Sequence, residues 1–69
     1  MTYRELTRKL RILGCEFDRQ GKGDHEIWRR PVTRGRTIIP NWGSRDLRPG
    51  TISSILRDLG ISRTEFDQV

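Results

Sequence analysis

Apolar residues near the start of the chain recur at three- and four-residue steps: Tyr3, Leu6, Leu10 and Leu13 form one stripe. That spacing predicts a helix. Thr2, with Glu5 three residues on, has the form of a capping box, and Gly14 stands where such a helix would stop. From Cys15 the period drops to two, with Cys15, Phe17 and Arg19 on one face and Glu16, Asp18 and Gln20 on the other. Gly21-Lys22-Gly23 then reads as a hairpin loop. A second strand runs through His25-Glu26-Ile27-Trp28-Arg29, a turn from Pro31 to Gly35 follows, and Arg36-Thr37-Ile38-Ile39 makes a third strand that stops at Pro40. Short loops between successive strands imply an antiparallel meander.

Asn41 to Gly50 reads as a loop. Thr51 is the expected cap of a second helix, with Ile52, Ile55, Leu56 and Leu59 on one stripe and Gly60 at its end. Ser62 and Glu65 repeat the capping-box spacing before a short final turn around Phe66. The order is α-β-β-β-α. An α+β fold follows, a three-stranded antiparallel sheet covered on one face by two helices, with the other face open to solvent or a ligand.

The second strand leaves one question open. His25 and Ile27 share a face, and Trp28 has the opposite parity. If Ile27 turns to the core, His25 turns with it, and Trp28 is exposed as a base-stacking platform or a partner anchor. The reverse arrangement buries Trp28 and frees His25.

Length narrows the field of functions. At 69 residues the chain is one domain, residues 1–69, too small for a dinucleotide cleft or a two-domain hinge. Below about 70–80 residues a core contributes only about 3–5 kcal/mol net, so each core leucine matters. No apolar run would span a bilayer or serve as a signal peptide, and a cytoplasmic location without membrane attachment is expected. Cys15 is the one cysteine, which excludes an internal disulfide and a cysteine-based zinc site and suits a small core residue.

Charge adds a direction. Fourteen Lys and Arg against nine Asp and Glu give +5, concentrated in residues 1–13 at +3 and 29–36 at +4. Such zones suit a polyanion, through counterion release from neutralised phosphates, and equally suit a solvated basic face. Lys22, Arg29, Arg30 and Arg36 are the candidate phosphate contacts, and Gly23 beside Lys22 is counted with them as a candidate RNA-binding position. Trp42, among Asn41, Ser44, Arg45 and Arg48, fits either a base-stacking loop or a lid on the core.

His25 is the single histidine. A lone histidine is as a rule a surface or packing residue. Imidazole is nevertheless the side chain suited to accept and return a proton near neutral pH, and beside a phosphodiester it could deprotonate a ribose 2′-hydroxyl for in-line attack. Lysine and arginine would stabilise the charge gathering on the phosphoryl oxygens. That chemistry requires neither metal nor cofactor, and the consecutive Asp24, His25 and Glu26 alternate faces rather than converge on an ion. Asp24, Glu26 and Tyr3 are the nearby candidates for a second acid–base group. A non-catalytic RNA-binding module and a pure protein-interaction domain are the competing classes.

The chain resembles the HicA toxins, messenger-RNA-cleaving partners of HicB antitoxins, across almost its whole length. The resemblance rests on the N-terminal helix with Leu6, Leu10 and Leu13 before Gly14, on Lys22-Gly23-Asp24-His25-Glu26-Ile27-Trp28 through Pro31, and on Ile38-Ile39-Pro40. Its most specific part is Leu47-Arg48-Pro49-Gly50-Thr51 leading to a helix that ends in Leu59-Gly60-Ile61. The resemblance implies a double-stranded-RNA-binding-domain-like fold, a metal- and cofactor-independent mRNA interferase (an endonuclease) with His25 as its catalytic group, and a HicB-like antitoxin partner that covers His25, with Trp28 or Trp42 as anchors. Two positions depart from the family's habit: Asp24 stands where Ser or Gly is usual, and Arg30 where many members have a second histidine. A carboxylate at position 24 would repel a phosphate.

Overall fold

A computed structural model describes residues 1–69. Its elements are α1 (Tyr3–Ile12), β1 (Glu16–Gln20), β2 (His25–Arg30), β3 (Gly35–Pro40), α2 (Pro49–Leu59) and a short α3 (Arg63–Asp67). The strands form one antiparallel sheet in the order β1-β2-β3. The α+β arrangement expected from the sequence is the one observed.

Local chemistry sets most element ends. At α1 the Thr2 hydroxyl accepts from the Glu5 backbone N–H, and the Glu5 carboxylate accepts from the Thr2 N–H at 2.9 Å. The hydrogen bonds that the Glu5 carboxylate accepts, from the Thr2 backbone N–H first and then from the Thr2 hydroxyl, hold it below its usual range. Ser62 and Glu65 repeat the box at α3. Gly60 ends α2 in the left-handed region at φ 67°, and the Ile61 N–H turns back to the Leu56 carbonyl. The start of α2 differs from expectation. Arg48 is its N-cap and Pro49 its first helical residue, so Thr51 lies inside the helix. Proline has its φ fixed near the helical value and lacks an N–H that would be unpaired there anyway, which moves the start three residues earlier.

β1 also departs from simple alternation. Phe17 pairs with Trp28 but Arg19 pairs with Ile27, so a bulge falls at Asp18. Arg19 therefore leaves the face of Cys15 and Phe17 and joins that of Ile27.

The helices cover one side of the sheet. Leu6, Leu10, Ile39, Ile55, Leu59 and Phe66 are almost fully buried there, and so is Trp28 at 0% exposure. The exposed Trp28 platform is thereby corrected: its indole is the largest side chain of the core, with Phe17 packed edge-on against it. Ile27 takes the outward side. The first residue of β3 must be small, because a Cβ on Gly35 would lie 2.4 Å from the Asp58 carbonyl oxygen of α2. Thr37, also on the inner face, donates to the Asp58 carboxylate at 3.0 Å and fixes α2 across β3.

One polar residue belongs to this core. Glu26 is 8% exposed, and its carboxyl accepts hydrogen bonds from the Tyr3 hydroxyl at 2.6 Å, the Trp28 indole N–H at 2.9 Å and the Asn41 amide at 3.3 Å. The cluster joins α1, β2 and the segment after β3. Burial, and then the bond to Glu26, push the Tyr3 phenol up to about 12 from an ordinary 10.0. The folded chain thus keeps the phenolic proton at pH values where the unfolded chain has lost it. This contribution to stability is complete below pH 10.0 and is lost as pH rises toward about 12. Because Tyr3 is the only tyrosine, tyrosinate absorbance in an alkaline titration reads it alone. A native midpoint near 12 is expected, and one at 10.0 would show that the bond to Glu26 does not form.

Candidate active site on the open face of the sheet

With Glu26 and Trp28 turned inward, His25, Ile27 and Arg29 face outward on β2. Their partners across the sheet are Pro40, Ile38 and Arg36 of β3. The open face therefore has His25 at one end, an apolar middle of Ile27 and Ile38, and arginines at the other end.

The His25 imidazole is half exposed, at 54% of its side-chain area. Its backbone is held from both sides. The His25 carbonyl accepts from the Gly21 N–H at 2.8 Å and from the Gln20 side-chain amide at 2.9 Å. The same amide donates to the Gly23 carbonyl at 3.0 Å, drawing the hairpin loop together. Gly23 sits at φ 62°, a conformation that disfavours other residues, and the His25 N–H closes the turn onto the Lys22 carbonyl at 3.0 Å. On the β3 side the Asn41 N–H donates to the Asp24 carbonyl at 2.8 Å, while its side-chain amide reaches Glu26. Gln20 and Asn41 thus grip the residues flanking His25. Neither was singled out from sequence, and no spacing or motif marks them.

Of the candidate second acid–base groups, only Asp24 is on the spot. Its carboxylate lies 3.8 Å from His25 Nε2, beyond hydrogen-bond reach. Glu26 and Tyr3 are bonded to each other behind the sheet and face away from His25. No three His, Cys, Asp or Glu side chains converge as a metal site.

The expected phosphate contacts fare differently from one another. Lys22 is exposed on the loop beside His25 and makes no ion pair. Arg29 and Arg36 are exposed, but each meets a carboxylate of β1: Arg29 pairs with Glu16 at 2.7 Å, and Arg36 with Asp18. Arg30 does not belong to the set. Its side chain is only 12% exposed, and its guanidinium donates to the Leu13 carbonyl at 3.0 Å, the Gly60 carbonyl at 3.0 Å and the Glu65 carboxylate at 2.8 Å. It clamps the ends of α1 and α2 to the start of α3. The Ser62 N–H and then this guanidinium hold the Glu65 carboxyl below its usual range.

Trp42 packs partly buried against the core, with the Arg45 guanidinium 4.0 Å from its ring centroid. That is the lid arrangement, with one face covered by arginine. The larger hollow of the surface, about 490 Å³, is lined by Arg19, Ile27, Arg36 and Ile38 of the sheet and by Thr51 and Ser54 of α2, and does not include His25. A smaller one, about 210 Å³, lies at the β2–β3 turn.

The domain is thus α+β, with its single histidine held half exposed at one end of an open, arginine-bearing sheet face. The chain matches the family model described as the HicA toxin of bacterial toxin–antitoxin systems over residues 3–61, and it belongs to that family. That match runs through the His25 hairpin, the second hairpin and α2. No curated protein and no solved structure matches the chain. No helix is long and apolar enough to cross a membrane.

Substitutions at two positions separate the framework from the site. Arg30→Ala should destabilise the fold by about 2–4 kcal/mol, since hydrogen bonds to charged groups are each worth about 1.5–3 kcal/mol and three of them are lost. Arg30→Lys should recover little, because one ammonium cannot reproduce a three-way fork. Urea denaturation reads both. Gln20→Ala should leave the denaturation midpoint nearly unchanged and speed amide exchange at Gly23 and His25, while equal exchange in the two proteins would show that the Gln20 amide does not order the loop.

Proposed function

We propose that this HicA-family toxin is an endoribonuclease that cleaves messenger RNA in the cytoplasm, with His25 as its acid–base group and no requirement for a metal or cofactor. The observation that carries this reading is the orientation of β2. Burial of Glu26 and Trp28 turns the chain's one imidazole outward, half exposed, onto a face that also bears arginines.

The chemistry follows from that placement. His25 accepts the proton of a ribose 2′-hydroxyl as O2′ attacks the adjacent phosphorus. A 2′,3′-cyclic phosphate forms, the P–O5′ bond breaks, and O5′ leaves with a proton drawn from solvent, to which the open face gives free access. Lys22 lies on the same loop, where its ammonium stabilises charge developing on the phosphoryl oxygens, and the Gly23 backbone lets a phosphate come close. Arg29 and Arg36 bind phosphates further along the face. Asp24 works against this arrangement, since its carboxylate shares the neighbourhood of the imidazole.

A HicB-like antitoxin would silence such an enzyme by covering His25 and the surrounding cations with acidic surface. Trp28 is excluded as an anchor by its burial; Trp42 offers only the part of its ring not packed on the core or under Arg45.

His25→Ala is the decisive variant. It should lower RNA cleavage by roughly 10²–10⁴-fold while RNA affinity stays within a small factor. Induction of the wild-type chain alone should arrest growth, and the variant should not. Cleavage by the wild-type protein should continue in excess chelator. Undiminished cleavage by His25→Ala would overturn the assignment.

A further inference from the structure

Four arginines and no carboxylate line the hollow at the β2–β3 turn: Arg29, Arg30, Arg34 and Arg36, with Pro31 and Gly35. Its floor is rigid. Arg30 is fixed by three hydrogen bonds, and Gly35 is pressed against the last turn of α2. The turn itself is tied down, because the Thr33 hydroxyl donates to the Leu59 carbonyl at 2.8 Å. Arg29 and Arg36 stand directly opposite each other across the two strands, an arrangement of like charges that is unfavourable unless an anion lies beside it. Arg34 holds a left-handed backbone at φ 60°, unusual for a residue other than glycine, and makes no ion pair.

The neutralisation of this cluster is one-sided. Glu16 takes the Nε and one terminal nitrogen of Arg29, and Asp18 takes Nη1 of Arg36 and shares the same oxygen with Arg19. Both acids reach in from β1. The turn side has no acid, so the remaining donors of Arg29 and Arg36 and the whole fork of Arg34 are without an anionic partner. Planar guanidinium forks suit the oxygens of a phosphodiester.

We propose that this cleft is a second phosphodiester-binding site, one that holds the RNA strand at a point well away from the cleaved bond. Arg34 is its principal ligand, and Arg29 and Arg36 complete it. His25 and Arg29 are four positions apart on one strand, about 13 Å at the usual rise per residue. A phosphate in the cleft is therefore not the one beside His25. A substrate must be long enough to touch both ends of the face, and Glu16 and Asp18 compete with it for the arginines. The proposal rests on the reading of the open face as an RNA-cleaving surface, but its test reads binding alone.

The wild-type chain is titrated with 2′-O-methyl oligoribonucleotides from dinucleotide to octanucleotide, which lack the nucleophilic hydroxyl and report affinity whether or not the protein cleaves RNA. Affinity should rise in a step once the strand spans both ends of the face. Arg34→Ala should abolish that step for the longer strands and reduce the slope of log K against log salt by about 0.7, the loss of one phosphate contact on a single strand. Arg34→Gly, which removes the charge while easing the left-handed backbone, should do the same with folding secure. Glu16→Gln should tighten binding by freeing Arg29. Unchanged affinity and salt slope in both Arg34 variants would overturn the proposal. So would a loss confined to an acidic peptide with RNA binding intact, which would assign the cleft to a protein partner. Failure of wild-type chain to cleave ordinary RNA would instead count against His25 and leave the length step to decide the cleft.

Discussion

A single buried carboxyl group decides which way the central strand faces. Glu26 lies behind the sheet, where an acid without partners would cost several kcal/mol, and three donors from three separate parts of the chain meet it there. Strand side chains alternate, so a one-residue slip of β2 would bring Glu26 and Trp28 into water and take His25 into the core. The hydroxyl of Tyr3, the indole of Trp28 and the amide of Asn41 all work against that slip. The exposed histidine is thus a consequence of what its neighbours require. The candidate site exists because the residues on either side of it are committed elsewhere.

Arg30 plays the corresponding part at the other end of the strand. Helices end with carbonyls that have no partner within the helix, and in a domain of this size those ends fall close together. One guanidinium accepts no bonds and donates five, so it can serve the ends of α1 and α2 and an acid of α3 at once. Glu26 and Arg30 are four residues apart on β2. Between them they connect every helix to the central strand with few apolar residues to spare, which is how a chain that is one-third charged still has a defined core.

Much of this was legible and some was not, for reasons of range. Both capping boxes, the glycine stop after Leu59 and the strand order depend on residues within a few positions of one another, and the sequence shows them directly. The facing of β2 does not. His25-Glu26-Ile27-Trp28 has an apolar residue in each parity, and the tie is broken by Tyr3 and Asn41, 23 and 15 residues away. The role of Arg30 was invisible for the same reason, its partners lying 17, 30 and 35 residues away. The bulge at Asp18 leaves no mark in composition, yet it brings Arg19 onto the open face. At the site, His25 and Lys22 could be picked out as the only histidine and a loop lysine; Gln20 and Asn41 act through side-chain amides that no spacing or motif marks.

The basic zone of residues 29–36 shows how linear charge misleads. Four arginines and no acid in eight positions suggest a bare cationic strip. In space, Glu16, Asp18 and Glu65 arrive from other elements and pair with three of the four. These pairs are not equivalent. The Arg30–Glu65 pair is part of a largely buried clamp and is fixed, whereas Arg29 and Arg36 are themselves half exposed, and pairs of exposed side chains are worth about 0–1 kcal/mol. An incoming phosphate can displace the second kind at little expense and cannot displace the first. The carboxylates of β1 therefore keep a dense group of arginines ordered and mutually tolerable while the face is empty, without blocking it. Removing them would make the face more cationic but also less well arranged, because the opposed Arg29 and Arg36 would repel each other with nothing between them.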